Sequence, residues 1–88
     1  MLTLLGKPGC HLCHEMRQVV ERVLPDYAAS LLERDVRAEP EWRRRYEWEI
    51  PVLFLGEQEL ARHRISEAGL REQLERIVRE TPAERDER

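Results

Sequence analysis

Apolar residues fall in short clusters along this chain, and the spacing within each cluster assigns an element. Leu2, Leu4 and Leu5 make residues 2–5 a short strand, closed by the turn-rich stretch Gly6-Lys7-Pro8-Gly9. Over 11–24, Leu12, Met16, Val19, Val20 and Val23 recur at helical spacing, with Glu15, Arg17, Glu21 and Arg22 on the other face. Pro25-Asp26 ends that helix. Residues 31–36 read as a second, more heavily charged strand. A short helix follows: Ala38-Glu39-Pro40-Glu41 puts proline and acids in its first turn, and it runs through Trp42 and Tyr46. Val52, Leu53, Phe54 and Leu55 form the continuous apolar run of a central strand. Gly56-Glu57 then turns the chain back into an edge strand over 58–63. Ser66 caps a last helix that turns Leu70, Leu74, Ile77 and Val78 inward. Its outer face carries the i,i+4 pairs Glu67–Arg71, Glu72–Arg76 and Glu75–Arg79, and Thr81-Pro82 stops it.

The order is strand, helix, strand, helix, hairpin, helix, which gives an α/β domain with a mixed sheet flanked by helices, an order several small folds share. Eighty-eight residues are enough for one domain, placed at 1–80, with 81–88 as a flexible C-terminal tail. Charged residues are 38% of the chain, so its surface is strongly solvated. Fifteen basic against eighteen acidic residues leave a net charge of −3, which argues against nucleic acid as a partner. No apolar run approaches membrane-spanning length, and the first residues lack the basic segment and cleavage site of an export signal. The expected setting is therefore the cytoplasm, with no membrane partner, where paired cysteines point to redox or metal chemistry before a structural staple.

The chemistry centres on Cys10-His11-Leu12-Cys13. It follows a strand and a turn and opens a helix, so a thiolate at Cys10 meets free backbone N–H groups and the positive end of the helix dipole. Lys7, the one lysine in the chain, adds charge three residues earlier. Such surroundings lower a thiol's pKa below its ordinary value. Cys10 is then the exposed attacking thiolate and Cys13, one turn in, the buried thiol that closes the disulfide. His11, between them, tunes the pair, whereas His14 belongs on the solvated side of the helix. Glu49-Ile50-Pro51 precedes the apolar strand, where proline is sterically acceptable.

Gly6-Lys7-Pro8-Gly9-Cys10-His11-Leu12-Cys13, followed some forty residues later by Ile50-Pro51-Val52-Leu53-Phe54, resembles the glutaredoxin-like family of the thioredoxin superfamily, most of all its short bacterial members. The resemblance spans roughly residues 2–79. It implies a thioredoxin-like fold, β-α-β-α-β-β-α, with a mixed four-stranded sheet, and a thiol–disulfide oxidoreductase serving cell redox homeostasis. It assigns the nucleophile to Cys10, the resolving role to Cys13 and the cis-proline role to Pro51, and it gives Lys7 the place of the lysine that holds a glutathione carboxylate. Lys7, His11, Leu12, Ile50, Pro51 and Ser66 are the candidate substrate-binding residues. No resident cofactor or metal is implied. Glutathione is a candidate co-substrate, the partners are protein or small-molecule disulfides, and glutathione or a thioredoxin reductase system is the reductant of a monomeric protein. Two features depart from the family. His63 and Arg64 stand where it carries a Gly-Gly pair, and Ala38 and Glu39 stand where it carries a polar residue early in the second helix.

Other readings use the same letters. Cys10-His11-Leu12-Cys13-His14 matches the haem-attachment pattern, with His14 as axial ligand, but attachment takes place outside the cytoplasm. The two cysteines and two histidines are zinc-type donors, yet one helical turn cannot aim four side chains at one ion. An iron–sulfur cluster shared by two chains is a further metal reading. A redox-gated binding module, with Trp42 or Trp48 on its contact surface, is the non-enzymatic one. The triplet Arg43-Arg44-Arg45, flanked by Glu41, Glu47 and Glu49, reads as a solvated helix face.

Overall fold

Three of the five residues of strand β1 (Leu2–Gly6) are buried leucines, and it takes a partner on each edge. In the computed structural model, which describes residues 1–80, strand β2 (Leu31–Asp35) runs parallel to it from Leu2↔Leu31 to Gly6↔Asp35. Strand β3 (Val52–Leu55) lies antiparallel on the other side, from Leu2↔Leu55 to Leu5↔Val52. Strand β4 (Gln58–Arg62) pairs antiparallel with β3 through a register shift at Leu53/Phe54, so the order is β2-β1-β3-β4. With helices α1 (His11–Val23), α2 (Pro40–Tyr46) and α3 (Glu67–Glu80), this is the mixed four-stranded arrangement expected from the sequence. The tail at 81–88 and the helix stop at Thr81-Pro82 lie outside the described residues.

Alternation along the strands divides the core in two. Leu2, Leu4, Leu53 and Leu60 meet Met16, Val20 and Val23 of α1 and Leu70 and Leu74 of α3. Leu5 and Val52 point the other way and, with Val36, pack under Trp42 and Tyr46 of α2. Each fully buried leucine contributes about 1.5–3 kcal/mol, so the larger cluster fixes how α1 and α3 lie on the sheet. The end of α1 above the sheet is thereby fixed as well. The arginine triplet is solvated, with Arg45 paired to Glu41 and Arg43 to Glu47.

Three expectations need correction. Val78 is 56% exposed rather than turned inward. At 3.6 residues per turn it stands roughly 80° round the helix from Leu70, beyond the arc that Leu70, Leu74 and Ile77 share. The second strand ends at Asp35, not Val36, because the Asp35 carboxylate accepts the Arg37 N–H at 2.8 Å and caps a 3₁₀ turn, Val36–Ala38. That turn drives Val36 fully into the core. Glu75, expected to pair with Arg79, instead accepts a hydrogen bond from the Tyr27 hydroxyl at 3.0 Å. Burial first, and then this carboxylate, push the Tyr27 phenol up.

Candidate active site

The redox pair is built where β1 hands over to α1. Gly9 adopts φ 77°, in the left-handed region, and the next residue, Cys10, is the N-cap of α1. Its Sγ accepts the Cys13 N–H at 3.1 Å, taking the place a serine or aspartate oxygen holds in an ordinary cap. Its carbonyl accepts the His14 N–H at 3.1 Å. No acid stands in the first turn of α1, so the positive end of the helix is left to the sulfur. The two cysteines are joined as a disulfide with Cα atoms 5.2 Å apart. Cys13 is buried as expected, only 9% exposed, but Cys10, expected to be exposed, is half-buried because its sulfur turns onto the helix end to cap it.

Gly6 makes this packing possible. A Cβ on it would lie 2.8 Å from Cys13 Sγ and 3.2 Å from Cys13 Cβ, so the last residue of β1 must lack a side chain for α1 to seat its sulfur. Nothing in the spacing of the motif singles Gly6 out, apart from its place at the strand's end.

Lys7, Cys10, Cys13 and His14 line one cleft of about 380 Å³, whose other wall includes Glu33 and Asp35 of β2. His14 is exposed, as expected, but it borders the cleft and its Nδ1 lies 3.4 Å from Arg17. Arg17 in turn faces Glu33 at 3.7 Å. Hydrogen bonds from the Arg37 side chain and backbone hold the Asp35 carboxyl down to about 2, and the charge of Lys7 adds to the effect. Lys7 thus stands within electrostatic reach of Asp35 and lines the same cleft as the cysteines.

Leu12 and Ser66 line a second groove, of about 480 Å³, on the other flank of α1, with His63 and Arg64 beside them. Ser66 caps α3 by accepting the Gly69 N–H at 2.9 Å. His11 is turned outward, 82% exposed, with Nε2 2.7 Å from Glu15.

Ile50 and Pro51 come to the same end of the sheet. Leu5↔Val52 is the last pair of that ladder, so Ile50 and Pro51 enter β3 at the end of the sheet where β1 runs on into the loop that leads to Cys10. The Ile50–Pro51 bond is cis and Pro51 is buried. The Pro51 carbonyl accepts the His63 N–H at 2.8 Å, and Glu49 lies 3.4 Å from both His63 Nε2 and Arg62. His63 itself has φ 68°, a left-handed conformation that glycine adopts without strain. The Ile50 backbone makes no hydrogen bond to another described residue. Reading the sequence by motif gave Gly6 only the role of a turn residue and did not link Glu49 to His63, because both roles arise from contacts across elements.

Among the described residues no three His, Cys, Asp or Glu side chains are grouped to share a metal ion, and no helix is long and apolar enough to cross a membrane.

A family model described as Glutaredoxin-like domain (DUF836) matches residues 1–75. Among solved structures, the chain is similar to a structural-genomics target protein from X. campestris, with 20% identity and a TM-score of 0.74 over 86% of this chain and 97% of that one. It is also similar to thioredoxin 1 from Thermosipho africanus, with 15% identity and a TM-score of 0.66 over 93% of this chain and 98% of that one. At these identities the likeness is one of fold, and the fold is thioredoxin-like.

Proposed function

The chain belongs to the glutaredoxin-like domain family, and from that premise we propose that it is a dithiol–disulfide oxidoreductase in which Cys10 attacks and Cys13 resolves. The observation that carries this reading is the difference between the two sulfurs. Cys10 Sγ occupies the cap of α1 and receives a backbone N–H, so a thiolate there is stabilised by the same groups. Cys13 is shielded over Gly6, within bonding reach of Cys10 and poorly open to a bulky disulfide.

In the reduced protein the Cys10 thiolate attacks one sulfur of a substrate disulfide. A Cys10–substrate bond forms as the substrate's S–S bond breaks, and the first substrate sulfur leaves as a thiolate that takes a proton from water. Cys13 loses its proton and attacks Cys10 Sγ, releasing the second substrate sulfur and leaving the Cys10–Cys13 disulfide. Two electrons have passed to the substrate, and a thiol reductant, glutathione or a thioredoxin reductase system, returns them. The pair's potential is expected in the band of roughly −200 to −270 mV. Lys7 supplies positive charge in the cleft that the reacting sulfurs line, and the Ile50 backbone, without a partner among the described residues, can hydrogen-bond a bound substrate strand. Leu12 and Ser66 border the second groove on the other flank.

The test is a trapping experiment. Cys13→Ser, mixed with a disulfide substrate, is expected to accumulate a mixed disulfide through Cys10, seen as a mass adduct that dithiothreitol removes. Cys10→Ser is expected to form none, and only the wild type turns over. Adducts on Cys13 in preference to Cys10, or turnover by Cys10→Ser, would overturn the assignment.

A further inference from the structure

Asp35 stands opposite Gly6 in the parallel ladder of β1 and β2. Residues matched across such a ladder send their side chains to the same face of the sheet. On that face the space beside Gly6 is filled by the Cys13 sulfur, which a Gly6 Cβ would meet at 2.8 Å. Neighbouring strands lie about 4.8 Å apart, so the Asp35 side chain leaves its strand no more than about 8 Å from that sulfur. Asp35 and both cysteines accordingly line the same cleft of about 380 Å³.

The carboxylate is fixed there as a charge. The Arg37 backbone N–H donates to Oδ1 at 2.8 Å, and the Arg37 side chain donates to Oδ1 at 3.0 Å and to Oδ2 at 2.8 Å. Held down to about 2, the carboxyl stays ionised wherever a thiol titrates. The Arg37 side chain is 51% exposed against 35% for Asp35, so the guanidinium is the member of the pair that water screens more. Elsewhere around the cleft, Arg17 of α1 faces Glu33 of β2 at 3.7 Å, and His14 turns its Nδ1 to Arg17 at 3.4 Å. Arg34 matches Leu5 in the ladder and projects from the other face, beside Trp42 and Tyr46. Lys7 and Asp35 are left as the opposing charges nearest the sulfurs, and Lys7 is close enough to lower the Asp35 carboxyl further.

We propose that Asp35 is a positioning residue that sets the acidity of the redox pair: its carboxylate opposes Lys7 and the positive end of α1, keeps Cys13 protonated until Cys10 has bonded to substrate, and biases the protein toward giving electrons to disulfides. The inference rests on the dithiol reading above and adds the direction in which the pair works. The helix end and Lys7 stabilise thiolate, and a pair whose reduced form is stabilised in this way becomes an oxidant. A carboxylate beside the sulfurs acts the other way. Its effect is larger on Cys13, the sulfur packed over Gly6, than on Cys10 at the helix cap. Cys13 therefore stays a thiol while Cys10 attacks. It gives its proton to water in the cleft only as its sulfur bonds to Cys10 and the substrate sulfur departs as a thiolate. Unit charges about 7 Å apart, at an effective dielectric between about 20 and 80, move a pKa by about 0.5–1.5 units.

The experiment follows the ultraviolet absorbance of thiolate in the reduced protein across pH, with Cys13 read by itself in Cys10→Ala. Asp35→Asn keeps an oxygen for the Arg37 N–H and removes the charge. It is expected to lower the Cys13 pKa by about 1 unit and that of Cys10 by about half as much, with both differences shrinking at high salt. The equilibrium with glutathione is expected to move roughly threefold toward reduced protein, which is about 15 mV. Asp35→Glu restores a carboxylate and is expected to return both thiols toward their wild-type values. Unchanged thiol acidity in Asp35→Asn, or the same change in Asp35→Asn and Asp35→Glu, would overturn the proposal, because the residue would then act through its cap alone. If wild-type Cys10 titrates as an ordinary thiol and the protein reduces no disulfide, the dithiol reading itself has failed and this proposal falls with it. An acidic Cys10 with turnover, but no response to Asp35→Asn, removes only the role of Asp35.

Discussion

Replacing Gly6 by alanine tests the packing that brings β1 and α1 together at the redox pair. The new Cβ would sit 2.8 Å from Cys13 Sγ. Non-bonded heavy atoms rest near 3.5–4.0 Å, so relief demands a shift of roughly 0.7–1.2 Å. Neither partner moves freely, because Leu5 beside Gly6 is buried and Cys13 begins the face of α1 that carries Met16 and Val20 into the core. Overpacking of this kind costs about 1–3 kcal/mol. A domain of this length holds on the order of 4–13 kcal/mol in total. A loss of about 2 kcal/mol multiplies the unfolding constant some ~30-fold and lowers the Tm by about 8–16 °C. The cost is not equal in the two redox states. In the oxidised protein the Cys13 sulfur is bonded to Cys10 and cannot rotate aside, whereas the reduced thiol can. If the oxidised form loses about 1 kcal/mol more, the reduction potential rises by about 20 mV. Urea unfolding of oxidised and reduced protein, with a potential measured against glutathione, reads all three effects. Gly9→Ala is the control: its Cβ meets nothing within 4 Å, so it carries only a left-handed backbone cost of about 1–2 kcal/mol, the same in both states. A Gly6→Ala protein within about 0.5 kcal/mol of wild type in both states would refute the reasoning.

Two further outcomes follow from the geometry. Ser66→Ala removes the oxygen that accepts the Gly69 N–H and is expected to lower stability by about 1 kcal/mol, read as a shift of the denaturant midpoint at unchanged slope; a shift smaller than about 0.3 kcal/mol would show that the cap contributes little. The Asp35 carboxyl, held down to about 2 by Arg37, sits below its unfolded value, so the stability it contributes is present above about pH 4 and is lost as pH falls through about 2. The stability difference between wild type and Asp35→Asn should therefore be constant from pH 7 to 5 and shrink between pH 4 and 2, and a difference that does not change with pH would count against the Arg37 contact.

Local chemistry alone was enough to place most elements. Leu2, Leu4 and Leu5, the helical spacing from Leu12 to Val23, the proline in the first turn of α2 and the cap at Ser66 depend on residues a few positions apart, and the sequence displays those directly. For the same reason the position of Cys10 at the mouth of α1 was readable, because a strand, a turn and a helix follow one another there. Other features depend on contacts that the apolar pattern does not show, most of them between residues distant in sequence. Val36 leaves its strand for the core because a two-residue contact between Asp35 and Arg37 outweighs the apolar pattern, and Val78 is exposed because α3 offers the sheet a narrower arc than its apolar residues span. Gly6 matters only once α1 has been laid across β1, and the tie from Glu49 to His63 exists only once β4 has returned beside the residues that precede β3. Trp48 could as well have filled a core as faced water. Whether an aromatic is buried depends on which elements pack over it, and that is set by strand register and helix phase acting across the whole chain, which no local window of sequence contains.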